Sequence, residues 1–390
     1  MSLKVEETTP DQALDEYLDT IYIQSHSKYS VAGYNCALRG GRKTKNAFRV
    51  FLQEKYNCDE LQLVYRITNK ELNVYKVLNG YVIWLDKNGL KPKTIRFWFS
   101  CAKNYLAFLD VEVYSERCKQ LVKLPKIRRI KKDAVTKEIL VKLLHNVNPK
   151  LQCAILVAIS SGMRVGEISG LKLSDIEIHS DPVKINIRAE TTKTREDRET
   201  FISKEASETL KDYLAQNFGW KEDSPNKNLQ ELRIFGRTNK IRNKKDSRLP
   251  NTEEQKSEAI LLQRALIRKI VKVPDLNKLN RNGRRLIHFH AFREYFYSVV
   301  SNVSGPNFAH ALMGHHDYLD TYYVLSDRQQ AQLFKKAEPY LTISDYSKIE
   351  KSLERIQEKQ AVFDDKYSKL EAFLSKVDQT KLLKLIEHVS

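Results

Sequence analysis

The chain has 390 residues, 41% of them hydrophobic, which is enough for two domains that each bury a core and too apolar for a disordered chain. It carries a formal net charge of +18 and a pI near 9.4, a balance that favours a polyanionic partner (DNA, RNA or an anionic surface), because each neutralised phosphate releases counterions. There is no apolar run long enough to span a bilayer, the acidic start "MSLKVEETTPDQALDEYLDT" lacks an apolar signal core, and five single cysteines form no CxxC pair. These features predict a cytoplasmic protein with reduced thiols.

Residues 11–118 read as mostly helical. In "LRGGRKTKNAFRVFLQEKY" (38–56) a Gly-Gly turn precedes a cluster of cations that includes Lys43 and Lys45. In "GLKPKTIRFWFSCAKNYLAFLDV" (89–111) Ile95, Phe99, Ala102, Tyr105, Leu106 and Leu109 recur at helical spacing, with Thr94 as the expected N-cap. Lys91, Lys93 and Arg96 lie near the start of that helix, where they could meet phosphates or simply be solvated.

The stretch "KLPKIRRIKK" (123–132) holds six cations in ten positions, among them Lys126, Arg128 and Arg129, and one proline. It reads as a basic linker between domains at 10–122 and 133–343. A helix restarts at Thr136. "VKINIRAE" (183–190) and "RETFIS" (198–203) read as paired strands with "TTKTRED" at the hairpin tip, and 219–257 reads mostly as loop. From Tyr346 to Val377 apolar residues alternate steps of three and four, with Gln360 the polar exception. That is a heptad pattern predicting a long helix or coiled coil over 344–390.

Three stretches carry candidate chemistry. "ISSGMRVGEISGLKLSDIEI" (159–178) suggests a helix ending at Ser161-Gly162, then an arginine, then a new helix. In "HFHAFREYF" (288–296), His290 and Arg293 are three apart on one helix face and could grip phosphate oxygens. "HALMGHHDYLDTYYVLSD" (310–327) has a Gly-His turn followed by paired tyrosines. The crowd of histidines could suggest zinc, but no cysteine lies near and the spacing fits no standard finger.

These motifs, in this order, resemble the tyrosine recombinases, or phage-type integrases, and look most like their archaeal virus and plasmid branch. "SGMRVGEISGLKLSDI" looks like the family's G-x-R-x-x-E-[IL]-x-x-L box, "HAFR" fits H-x-x-R, "LMGH" fits L-x-G-H, and "TTKTRED" sits where the family places a hairpin lysine. The resemblance covers roughly residues 15–340. It implies a mainly α fold with a small antiparallel sheet: a helical DNA-clamping domain and a catalytic domain, closing as a C around a duplex.

As carried over, Arg164 and Arg293 neutralise the reacting phosphate, and His290 and His315 hydrogen-bond to it or move protons. Lys193 acts as general acid (Lys184 and Arg195 flank it), and Glu167 orients a neighbour. The nucleophile is Tyr322 or Tyr323: matching the following "LSD" selects the first, matching from upstream the second, and Tyr318 comes too early. The implied product is a 3′-phosphotyrosine, which needs no ATP, metal or other cofactor. The implied partners are double-stranded DNA with specific sites and a homotetramer on that DNA, in the cytoplasm on the nucleoid. A recombinase-derived protein that only binds DNA, or a type IB topoisomerase-like nicking-closing enzyme, is the alternative.

Overall fold

The computed structural model describes residues 9–41, 45–128, 133–192, 195–222, 227–236, 252–281, 283–314 and 325–344, together with 356, 359–360, 362–369 and 371–372. The chain divides into two compact units, Met1–Arg129 and Ile130–Ser390.

In the first unit seven helices are described: α1 (Pro10–Ser25), α2 (Lys28–Leu38), α3 (Phe48–Tyr56), α4 (Glu60–Thr68), α5 (Val74–Lys87), α6 (Pro92–Phe108) and α7 (Ser115–Leu121). Side-chain caps start several of them. Thr9 and Gln12 form a reciprocal capping box at α1, Asp59 and Gln62 another at α4, and Asn73 accepts from two N–H groups of α5. The core is strongly aromatic, with Phe48, Phe51 and Tyr81 buried and in ring contact. Helix α6 departs from the sequence reading. It begins at Pro92 with Lys91 as N-cap, so Thr94 lies inside the first turn. Proline has no N–H to lose at the first helical position, and its fixed φ suits that site better than a threonine two residues later.

The second unit starts with α8 (Lys137–His145), whose N-cap is Thr136 as the sequence suggested, and α9 (Pro149–Ser161). Nearly every residue of α9 is buried, because α11, α14 and β3 pack around it. After α10 (Val165–Gly170) come β1 (Ile176–Glu177), β2 (Val183–Ile187) and β3 (Arg198–Ile202). They form one antiparallel sheet in the order β1-β2-β3, with Ile185 opposite Thr200. The hairpin is where the alternation placed it; β1, two residues long, was not anticipated. Then follow α11 (Lys204–Phe218), α12 (Lys227–Gln230), α13 (Thr252–Ile270), α14 (Phe289–Ser304), α15 (Pro306–Met313) and α16 (Asp327–Leu341). Of 219–257, α12 and residues 252–257 of α13 are helical, 219–222 and 231–236 are not, and 223–226 and 237–251 lie outside the described residues. Beyond that stretch α13 presents an apolar face at Leu262 and Leu266.

Of the heptad stripe, Ile356, Gln360, Phe363 and Tyr367 are helical. Ile356, Phe363 and Tyr367 are exposed on the single chain. The other stripe positions lie outside the described residues. Free thiols are present at Cys36, Cys58, Cys101, Cys118 and Cys153, all but Cys36 buried.

Helix α9 ends on Gly162 in the left-handed region (φ 66°), and a Cβ there would overlap the Phe296 ring. Gly162→Ala therefore combines left-handed strain with overpacking, and should lower the unfolding free energy of the second unit by about 2 kcal/mol or more. Urea unfolding followed by circular dichroism checks this; an unchanged midpoint would contradict it.

Candidate active site

The turn after α9 brings the first box into place. Gly162 lets the chain reverse, and Arg164 becomes the N-cap of α10. Glu167, one turn into α10, folds back: its Oε2 accepts the Arg164 backbone N–H at 2.7 Å, and its Oε1 accepts Arg164 Nη1 at 3.0 Å. The Glu167 side chain is 1% exposed and that of Arg164 is 30% exposed, so the carboxylate is inside while the guanidinium reaches the surface.

A third group completes this arrangement, and the sequence reading missed it. Arg198, the first residue of β3, donates Nη1 to Glu167 Oε1 at 3.1 Å and Nη2 to Oε2 at 2.6 Å. Its Nε donates to the Leu312 carbonyl at 3.0 Å. Along β3, positions 198, 200 and 202 share one face, and Thr200 and Ile202 are fully buried. A cation in phase with two core positions was the available signal. Thr200 adds its own tie, donating Oγ1 to the Ser161 carbonyl at 2.8 Å.

Arg293 sits one turn into α14 and is 1% exposed. Its Nη1 donates to the Gly162 carbonyl and its Nη2 to that of Met313. Burial, then the like charge of Arg164, pull its pKa below the ordinary value; Glu167 opposes this and Arg198 adds to it. The guanidinium stays charged at neutral pH. Burial alone would raise the Glu167 carboxyl, but the hydrogen bonds and charge of Arg198, with the N–H and charge of Arg164, bring it below the usual range.

His290 is placed differently. It is the second residue of α14, its side chain is 68% exposed, and its Nε2 lies 3.4 Å from Glu294. The structure thus brings Arg164, Glu167 and Arg293 together with Arg198, while His290 stands in solvent at the helix start and Arg293 is buried a turn deeper. His288, read only as part of the histidine crowd, caps α14 by accepting the Ala291 N–H on Nδ1. Lys184 is nearly buried between Glu177, Glu199 and Asp327 at 3.2–3.3 Å, tying β2 to the start of α16. Burial works against its charge, yet the three carboxylates raise its pKa above the ordinary value. Arg195 is exposed, with φ 60°. Lys45, Lys91, Lys93, Arg96, Lys126 and Arg128 are exposed in the first unit, and Arg96 donates to the Pro125 carbonyl. Lys43, Arg129, Lys193, His315, Tyr322 and Tyr323 lie outside the described residues. Among the described residues, no group of three or more potential metal ligands occurs.

Chemically, three guanidiniums around one carboxylate leave an excess of positive charge facing the open side of Arg164, which suits a bound phosphate. Glu167→Gln should cost about 3 kcal/mol at neutral pH, since it breaks a buried ion pair. Because the folded carboxyl titrates below its unfolded value of about 4.3, that stability is present above this pH and is lost as pH falls further. Wild type and variant should therefore converge in acid; a gap independent of pH in thermal unfolding would refute the charge argument.

Residues 133–328 match the sequence model of the phage integrase family. No curated protein matches the chain. Among solved structures, the chain is similar to XerA recombinase at 16% identity, covering 84% of this chain and 98% of that one, with a TM-score of 0.34. It is similar to a lambda integrase (75–356) dimer bound to a COC′ core site at 14% identity, covering 82% and 100%, with a TM-score of 0.49. For the integrase from mycobacterium phage Brujita the values are 12%, 84%, 92% and 0.36. At such scores these likenesses stand beside the family match and add no weight to it. The match to the family's sequence model spans half the chain, including both arginine motifs and the segment up to α16, and the chain therefore belongs to the phage integrase family.

Proposed function

We propose that the chain is a site-specific recombinase that cleaves and rejoins duplex DNA through a covalent tyrosine intermediate. Its family membership supports recombination as the activity. The observation that carries the mechanistic reading is the framing of Arg164 and Arg293 by one buried carboxylate and two carbonyls, with positive charge in excess.

In this reading a duplex phosphate lies against Arg164 and Arg293, which stabilise charge building on its non-bridging oxygens. His290 and His315 hydrogen-bond to the same oxygens or relay protons. The hydroxyl of Tyr322 or Tyr323, with an ordinary pKa of about 10, is drawn toward phenolate by the neighbouring guanidiniums. The phenolic oxygen attacks phosphorus and its proton passes to an imidazole or water. The bond from phosphorus to the 5′ oxygen breaks, and that oxygen takes a proton from Lys193. The 3′-phosphotyrosine conserves the ester, so the reverse attack by a 5′ hydroxyl rejoins DNA without ATP. Glu167 orients Arg164.

Lys43, Lys45, Lys91, Lys93 and Arg96 of the first unit, with Lys126, Arg128 and Arg129 of the basic linker, are assigned to the DNA backbone. Their exposure where described supports this, as does the overall charge of +18. We place 10–122 as the clamping domain, 133–343 as the catalytic domain and 344–390 as a helix that joins protomers in a tetramer on DNA. Among the described residues no helix is long and apolar enough to cross a membrane.

Nicked duplexes tiled across the DNA flanking the chain's own coding sequence should trap a covalent adduct. One of Tyr322→Phe and Tyr323→Phe should abolish the adduct while the other leaves it measurable; adduct from both would reject the pair. Wild type that binds duplex but never forms an adduct would favour the binding-only alternative, and plasmid relaxation without a site pair would favour the topoisomerase one. Deleting 345–390 should weaken two-site recombination more than single-site cleavage, and equal loss in both assays would remove the assembly role from the tail.

A further inference from the structure

Arg198 lies on a strand, outside every motif that pointed to the site, yet its contacts reach two separate segments, α10 and the end of α15. Through Nη1 and Nη2 it holds both oxygens of Glu167, whose own partners are the backbone and guanidinium of Arg164. Through Nε it holds the Leu312 carbonyl, and its stem fills the space at Gly314: a Cβ on Gly314 would meet Arg198 Cδ at 2.8 Å. Gly314 also needs its positive φ of 62° to end α15. The side chain is 9% exposed, so these contacts form away from solvent.

We infer that Arg198 is a positioning residue for strand cleavage, setting Arg164 through Glu167 and setting the Leu312–Gly314 turn that leads into His315. The inference rests on the recombinase reading above. Glu167 needs two guanidiniums to be met on all sides. With Arg198 in place, Arg164 gives Glu167 one Nη and keeps its exposed edge for the phosphate. Without Arg198, Arg164 is the nearest cation left to neutralise a buried carboxylate, and it is drawn inward, away from DNA. The turn before His315 loses its carbonyl anchor in the same step. A lysine at 198 keeps the charge but cannot span a carboxylate and a carbonyl with donors fixed in one plane.

The test uses the full chain and the nicked duplex that gives adduct with wild type. At saturating duplex, the single-turnover rate of adduct formation should fall about 10²-fold in Arg198→Ala. It should fall less in Arg198→Lys, while the half-saturating duplex concentration moves by less than about threefold in either, since ground-state binding is spared. The pH profile provides a readout that a purely structural role would not move. Among the described residues, the charged groups facing Glu167 are Arg164, Arg198 and Arg293. Removing Arg198 leaves burial less opposed, so the acid limb of the rate profile should shift toward neutral pH, and Glu167→Gln should abolish that limb.

Folded Arg198→Ala with wild-type rate and profile would overturn the inference. If the alanine variant does not fold, Arg198→Lys decides: a lowered single-turnover rate at an unchanged half-saturating duplex concentration supports positioning, and a wild-type rate overturns it. Wild type that forms no adduct on any duplex takes down the recombinase reading itself, and this inference with it. Loss confined to position 198 leaves the recombinase reading standing.

Discussion

A carboxylate buried among guanidiniums governs this molecule. Glu167 is almost completely removed from water, and an isolated anion there would either be prohibitively costly or take up a proton. Four hydrogen bonds from Arg164 and Arg198 keep it charged. The pairing fixes more than one side chain, because its partners come from the α9–α10 turn and from β3. Arg293 then enters from α14 onto the carbonyl of Gly162, inside the same turn. One negative charge is set against three positive ones; carbonyls accept from Arg293 and Arg198, and part of Arg164 faces solvent.

The surrounding fold is arranged to keep that frame rigid. Helix α9 is buried on all sides, so its C-terminal end cannot shift without disturbing α11, α14 and β3 together. Gly162 makes the reversal possible, and Phe296 closes over it. Thr200 ties the sheet to the same helix end. From the sheet's central strand, Lys184 fixes the start of α16 through Asp327. A site for an anion gains from such rigidity, because dipoles and charges already in position need no reorganisation as charge develops.

The parts of this arrangement that could be read from the sequence are those where chemistry needs given residue types at short spacing. Gly162, Arg164 and Glu167 lie within six residues, so one turn suffices to join them, and the motif carries the geometry with it. The hairpin was legible because Val183, Ile185 and Ile187 alternate cleanly. Arg198 was not, since its partners are 31 and 114 residues away and no local pattern points to them. His290 and Arg293 illustrate a different limit. Their spacing put them near one helix face, but His290 heads the 290-294-298 stripe that faces outward, whereas Arg293 lines up with Phe289, Phe296 and Val300 on the buried one. Thr94 was displaced as a cap by a proline two residues earlier.

Two arginines carry the long-range connections, and their chemistry explains why. Arg198 links Glu167 to Leu312, and Arg293 links Gly162 to Met313. The segment 162–167 is thus bridged twice to the end of α15, from a strand on one side and a helix on the other. Each bridge needs donors that diverge from a single rigid plane, one edge on each segment, which a guanidinium provides and an ammonium does not. A single bridge would leave the two segments free to rotate about it. Two bridges that do not share an atom remove that freedom, so the position of Arg164 relative to the turn at Gly314 is set by bonded geometry rather than by packing alone. That is why the Arg164 charge, proposed to meet the DNA phosphate, can sit at the surface, partly hydrated, and still be held in one place.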